Sequence, residues 1–171
     1  GHIELAGRID QSVRCLLRRK NYRDLPPQAQ AVYGDLVNGT GLEDALKSVD
    51  TVIHLAGVTK ALSARDYYAG NARATENLAR AVAERSIRMI HVSSLAASGP
   101  NASSTPTLED GEPHPLTHYG KSKLEGEQIV RKLVPNAVIV RPPVVYGPRD
   151  RDVFQILKPL THGIALQIGS G

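Results

Sequence analysis

Short β-branched runs alternate with longer stretches of helical periodicity along this chain, and that alternation restricts the folds open to it. The short runs are 13–17, 31–33, 51–55, 89–92 and 137–140, and each reads as a strand. Between them, Tyr68, Ala72, Leu78, Ala79 and Val82 recur at three- and four-residue steps, which predicts one buried face of a helix over 65–85. A second helix is predicted over 117–133, with Leu124, Ile129 and Leu133 as its apolar residues, and shorter ones over 41–48 and 151–161. Strand and helix in alternation imply the α/β class: a doubly wound parallel sheet with helices on both faces. The chain has 171 residues, enough for one domain with its own core.

The longest irregular stretch is 98–115. It holds Gly99, Pro100, Pro106, Gly111, Pro113 and Pro115, so no regular element survives there. Loops of this length in a compact domain are usually functional. Immediately before it, His91-Val-Ser-Ser94 runs from a strand into small polar residues. Immediately after it, Tyr119 and Lys123 open a helix four residues apart, on one face. A phenol ordinarily ionises near pH 10, and a neighbouring ammonium favours phenolate. Such a pair can give or take a proton at a carbonyl or alcohol. Ligands of open α/β sheets sit beyond the carboxyl ends of the strands, where Ser94 can hydrogen-bond the same oxygen. Taken singly, a Tyr-x-x-x-Lys pattern occurs by composition in roughly a third of chains this long. Strand, paired serines, long loop, Tyr-x-x-x-Lys helix, then strand and Arg141-Pro142-Pro143, in that order, is far more specific.

Charge excludes rather than selects. Lys and Arg number 21 against 17 Asp and Glu, a net +4 that is too mild to point to nucleic acid. The basic cluster Arg14, Arg18, Arg19, Lys20 and Arg23 reads as a solvated edge or as a phosphate site. No apolar stretch approaches the roughly 20 residues of a membrane span. One cysteine, Cys15, excludes an internal disulfide and is read as a buried strand residue. His54 and His91 fall on strands and are read as core residues with satisfied nitrogens. His114 and His118 are separated by Pro115 and have no carboxylate set beside them, so no metal is expected. No signal peptide is visible in these residues, and with a lone cysteine cytoplasm is the expected location.

Five segments carry a resemblance to the extended short-chain dehydrogenase/reductase family, the NAD-dependent epimerase/dehydratase type. They are Gly34-Asp35-Leu36, Val52-Ile-His-Leu-Ala-Gly57, Val92-Ser-Ser-Leu95, Tyr119-Gly-Lys-Ser-Lys123 and Arg141-Pro-Pro-Val-Val-Tyr-Gly-Pro148. The resemblance covers essentially the whole chain and implies a Rossmann-like fold. It implies that Tyr119 is the acid-base, Lys123 its partner and a ribose ligand, and Ser94 the substrate hydrogen-bonder, with Ala96 beside it. Asp35 and Leu36 would frame the adenine, and Ala56 and Gly57 would let the backbone approach the cofactor. Pro142 and Val144 would line the nicotinamide, and Tyr119 and Lys123 would touch it too. Asn71 resembles a family asparagine near the active site, or is a helix-surface residue. In the family, an acid at the end of the second strand takes the ribose hydroxyl, and arginine suits the 2′-phosphate of NADP. Strand 13–17 ends in Arg18-Arg19, which favours NADP over NAD. The other implied partner is a small-molecule substrate; a homodimer is compatible with the resemblance.

The family pattern opens with a strand and a Gly-x-x-Gly-x-x-Gly loop that sets the pyrophosphate at a helix N-terminus. This sequence starts at Gly1-His2-Ile3, expected as the helix after that loop. The family's first strand is central in the order 3-2-1-4-5-6. Strands 13–17 and 51–55 are therefore expected to flank its place, with backbone groups there lacking partners. Residues 1–148 are expected to be a partial dinucleotide-binding domain and 149–171 the start of the substrate lobe. Neither cofactor binding nor activity is expected of these residues alone. Three functions compete: hydride transfer at a secondary alcohol or ketone carbon, nucleotide-sugar epimerisation or dehydration, and a non-catalytic cofactor-binding structural or regulatory subunit. Family dehydratases carry acids after the Ser/Thr. Leu95-Ala96-Ala97-Ser98 is closer to the reductase pattern, and retention of Ser94, Tyr119 and Lys123 opposes the non-catalytic reading.

Overall fold

A computed structural model describes residues 12–18, 25, 28–101, 106–147, 150 and 152–163. Five strands form among the described residues: β1 Val13–Leu17, β2 Ala29–Tyr33, β3 Thr51–His54, β4 Arg88–Val92 and β5 Val138–Val140. They make two parallel sheets, β1-β2 and β3-β4-β5. All strand pairings among the described residues are thus parallel, as the alternating pattern predicts. No ladder joins β1 to β3. These are the two strands expected to flank the family's first strand, and their facing backbone groups are not paired with each other.

The α-helices among the described residues are α1 Leu42–Leu46, α2 Ala64–Tyr68, α3 Ala74–Ala83, α4 His118–Leu133 and α5 Asp152–Leu157. Leu42 and Leu46 of α1, Leu78, Ala79 and Val82 of α3, Met89 of β4 and Val130 of α4 form one buried cluster with Ile87. Leu16 of β1, Val52 of β3 and Ile139 of β5 pack onto it, so both sheets share this core although no ladder links them. Burying a Leu, Val or Met side chain of this kind stabilises by roughly 1.5–3 kcal/mol. On the strands that alternate, Ile53, Val138 and Val140 are exposed, so the second sheet has one covered face among the described residues.

Three local features differ from the sequence pattern. The helix predicted over 65–85 is interrupted: a π turn, Ala69–Arg73, separates α2 from α3. Such a turn carries an extra residue and redirects side chains, and Asn71 lies in it. Arg14 is half-buried rather than part of a fully solvated edge. Its Nη1 donates to the carbonyls of Asp44, Ala45 and Lys47 at 3.2, 3.2 and 2.6 Å, closing the C-terminal end of α1. Cys15 is half-buried rather than buried.

The chain divides into two compact units at Arg141/Pro142. The second contains α5 and a 3₁₀ turn, Lys158–His162, which ends at Gly163 with φ 72°.

Candidate active site

The site is assembled at the carboxyl end of β4. Beyond Val92 the chain passes Ser93 and enters a 3₁₀ turn, Leu95–Ala97, whose N-cap is Ser94; the Ser94 hydroxyl accepts from the Ala96 N–H at 3.2 Å. The loop that follows is clasped at its ends, because the His114 N–H donates to the Ser98 carbonyl at 2.8 Å. Gly99 makes this possible: its φ is 81°, and a Cβ there would stand 2.1 Å from the His114 carbonyl oxygen.

Helix α4 starts where the loop ends. Thr117 caps it, accepting from the Gly120 N–H at 3.0 Å. Tyr119 sits in the first turn, its ring 6.2 Å from that of Tyr67. Gly120 seats the helix directly on the 3₁₀ turn, since a Cβ would lie 2.3 Å from the Ala96 carbonyl oxygen. This contact brings the start of α4, with Tyr119, against the segment that begins at Ser94. One turn further, Lys123 is buried and its Nζ donates to the Val92 carbonyl at 2.9 Å. Burial pushes its pKa down to about 8, opposed by the nearby Glu127 carboxylate.

Asn71 is buried, not on the helix surface. Its Oδ1 accepts from the Val58 N–H at 2.7 Å, while its Nδ2 donates to the Val58 carbonyl at 3.0 Å and to Ser122 Oγ at 2.9 Å. One amide thus ties the segment after β3 to the helix of Tyr119 and Lys123. Gly57 belongs to this arrangement: a Cβ there would meet Asn71 Oδ1 at 3.0 Å and Lys123 Nζ at 3.8 Å.

The rings of the two strand histidines lie 5.1 Å apart, tilted by 34°. His54 Nε2 is hydrogen-bonded to Thr75 Oγ1 at 2.9 Å, as a satisfied core histidine should be. His91 is otherwise: neither ring nitrogen has a hydrogen-bond partner. Burial, the other histidine and Lys123 push His54 down to about 3. Burial and Lys123 push His91 down to about 4, against the pull of Glu127. Both rings are therefore neutral near pH 7.

The remaining expected residues are placed as follows. Arg18 is exposed directly after β1, and Arg19 lies outside the described residues. Asp35 follows β2, where Oδ1 accepts from the Val37 N–H at 2.9 Å. The carbonyl of Leu36 accepts from Asn77 Nδ2 at 2.8 Å. Ala56 and Gly57 are exposed after β3, and Ala96 is half-buried. Pro142 and Val144 belong to the second unit. The described ones among the expected residues from Arg18 through Lys123 thus follow strand ends or lie in the first two turns of α4. Sequence reading passed over Ser98, Ser122, Glu127 and the guanidinium of Arg141. Glu127 is fully buried and bonded to Arg141 at 2.6 Å. The four-residue step Tyr119, Lys123, Glu127 was the available signal.

Parallel strands with this Tyr–Lys helix beside a serine-bearing turn are the arrangement expected of the extended short-chain dehydrogenase/reductase family. Residues 5–165 match the family described as the RmlD substrate binding domain, and the chain belongs to that family. It is similar to a ceramide reductase of Caulobacter vibrioides, with 34% identity over 85% of this chain and 42% of that protein. It is also similar to the N-acetyl-alpha-D-glucosaminyl-diphospho-ditrans,octacis-undecaprenol 4-epimerase of Escherichia coli, with 30% identity over 88% of this chain and 50% of that protein. Among solved structures, UDP-glucuronic acid 4-epimerase from Bacillus cereus in complex with NAD superposes with a TM-score of 0.70. It is 30% identical, over 80% of this chain and 47% of that one. The chain spans half or less of the length of these relatives.

Proposed function

We propose that the whole protein is an NAD(P)-dependent oxidoreductase or epimerase that interconverts a secondary alcohol and a ketone by hydride transfer. The observation that carries this reading is the buried Lys123, one helical turn from Tyr119, on a helix that Gly120 seats against the Ser94 turn. Tyr119 protonates or deprotonates the substrate oxygen, and Ser94 hydrogen-bonds it. Lys123 supplies the positive charge that favours the phenolate. The half-buried Asp35, the exposed Ala56 and Gly57, and the exposed Arg18 all follow strand ends, a placement that suits a dinucleotide. Arg18, Asp35, Leu36, Ala56, Gly57 and Lys123 would hold it, and when bound it supplies the hydride acceptor or donor. Exposed Arg18 at the end of β1 favours the 2′-phosphate of NADP.

For the substrate, the relatives carry the names of a ceramide reductase and of two 4-epimerases, and both kinds of name are compatible with hydride transfer at a secondary alcohol or ketone carbon. The apolar Leu95-Ala96-Ala97 beside Ser94 supports the reductase reading. The epimerase identities support a nucleotide-sugar or lipid-linked sugar substrate as the second reading. The test uses the full-length protein, screened against nucleotide sugars and long-chain ketones with both cofactors. Tyr119→Phe should lower turnover about a hundred- to ten-thousand-fold and leave cofactor binding nearly intact. Wild-type turnover in Tyr119→Phe overturns the assignment, and cofactor binding without any turnover favours a structural or regulatory subunit.

A further inference from the structure

Below the Tyr119–Lys123 face of α4 lies a buried ion pair that the reaction as described does not use. Glu127, one turn beyond Lys123, has a fully buried side chain. Its Oε1 accepts from Arg141 Nε at 2.9 Å and its Oε2 from Arg141 Nη2 at 2.6 Å. The third guanidinium nitrogen, Nη1, donates to Ser98 Oγ at 3.0 Å. Arg131 reaches the same carboxylate at 3.9 Å from the solvent side. One guanidinium therefore joins three segments: the helix of Tyr119 and Lys123, the end of β5, and the far end of the turn that starts at Ser94. Stability alone does not explain such a pair, because apolar residues of similar volume often stabilise as well or better. Two parallel hydrogen bonds add geometry instead, fixing angle as well as distance.

We propose that Glu127 and Arg141 are positioning residues for the reaction: their clamp sets α4 against the Ser94 turn and holds Lys123 in its working place and charge. The proposal rests on the roles given above to Tyr119 and Lys123. The ionisable groups around the ammonium are Tyr119 and Glu127 on its own helix, His91 on β4, His54 on β3 and Arg141 after β5. The two imidazoles are neutral near pH 7, so Glu127 is the anion in this set. Burial works to strip the proton from Lys123, and the Glu127 carboxylate works to keep it. The clamp thus acts twice, through the seating of the helix and through the charge beside the lysine.

The test measures NAD and NADPH binding to the full-length protein by titration, from about pH 6 to about pH 10, with thermal melts to monitor folding. Glu127→Gln keeps the shape and removes the charge. It should weaken cofactor binding about tenfold, the scale of one charge-assisted hydrogen bond. It should also lower the alkaline pH midpoint of binding by about one unit, because the ammonium loses its support. Glu127→Asp, which restores the charge, should recover most of the midpoint. A Glu127→Gln protein that melts earlier but binds with the wild-type affinity and midpoint has lost only a structural contact, and that result overturns the proposal. If Glu127→Gln does not fold, Glu127→Gln/Arg141→Gln removes both charges together and leaves none unpaired. Wild-type cofactor affinity in that double variant is equally fatal, whereas its midpoint should shift less than in Glu127→Gln because the two lost charges oppose each other. Lys123→Ala separates the two levels of argument. Unchanged cofactor binding in Lys123→Ala sinks the lysine's assigned role and the clamp with it. Weakened binding there beside unchanged binding in Glu127→Gln sinks the clamp alone.

Discussion

Helices α3 and α4 pack against each other, yet they bury opposite chemistries. The buried residues of α3 are Ala74, Thr75, Leu78, Ala79 and Val82. Those of α4 are Gly120, Ser122, Lys123, Gly126, Glu127 and Val130. An apolar face needs only shape and removal from water. A polar face must find a partner for each group it buries. The partners exist: Lys123 has the Val92 carbonyl, Ser122 has Asn71 Nδ2 and the Tyr119 carbonyl, and Glu127 has Arg141. The two glycines let the helix come close enough, with the Ala96 carbonyl at Gly120 and the Asn71 carbonyl at Gly126. Helix α3 is thus held by apolar packing, and α4 by a network of hydrogen bonds and an ion pair. The same network that satisfies its groups also orients them.

The sharpest way to break this contrast is to empty one position on each helix of the full-length protein. Glu127→Ala leaves the Arg141 guanidinium largely buried and unpaired, which should cost about 3–5 kcal/mol. Leu78→Ala removes a buried apolar side chain and leaves a cavity, at a cost of about 2–5 kcal/mol with the same helix otherwise intact. Denaturant unfolding followed by circular dichroism measures both. The distinguishing result is rescue: replacing Arg141 as well, by Met, should recover much of the Glu127→Ala loss. No second change at Arg141 should recover Leu78→Ala. If Arg141→Met fails to help Glu127→Ala, the polar face is held by packing like its neighbour.

The same contrast explains how far the sequence could be read. The strands and the buried face of α3 follow from apolar spacing, and the structure bears them out with ends shifted by a residue or two. On α4 the same rule picks Leu124, Ile129 and Leu133, which are only half-buried. The face that is buried there carries lysine, glutamate and serine, which a hydrophobic pattern assigns to solvent. Only the chemistry-bearing step from Tyr119 to Lys123 pointed inward, and it stopped one turn short of Glu127. The π turn at Ala69–Arg73 has no apolar signature, so the inward placement of Asn71 was open in the sequence. His91 shows the opposite failure. A strand histidine was expected to satisfy its nitrogens, and neither is bonded. The resemblance named candidate site residues that patterning could not, but it carried no account of what holds them.

Acid sharpens the comparison from the side of the sheet. His54 and His91 titrate near 6.5 when unfolded and at about 3 and 4 in the fold. Both are depressed, so the unfolded chain binds more protons between these limits, and stability rises with pH there. It is fully present above about pH 6.5 and should fall by roughly 1.4 kcal/mol per pH unit for each histidine as acid is added toward pH 4. Urea midpoints between about pH 7 and pH 5 read this slope. His91→Asn and His54→Asn should each flatten it. An unchanged slope in both variants would show that other groups control acid unfolding.

The smallest effect concerns the one chemistry that both helices share. Glu76 and Arg80 of α3 form a carboxylate–guanidinium pair at 2.7 Å, with side chains 38% and 60% exposed. Glu127 and Arg141 form the same pair of groups at 2.6 Å, with side chains 0% and 17% exposed. The distances are alike, so distance does not decide their worth. Solvent does: water screens the exposed pair and hydrates either partner if the other is lost, whereas the buried carboxylate has no such recourse. Arg80→Ala should therefore change stability by no more than about 0.5 kcal/mol. The little it contributes should fade as salt rises toward about 1 M, where the screening length falls to about 3 Å. The loss in Glu127→Ala should persist in the same salt, because counterions do not reach a buried pair. Unfolding midpoints of the two variants at low and high salt give the comparison directly. If Arg80→Ala costs as much as Glu127→Ala, or if salt erases both effects alike, burial is not what separates the two faces.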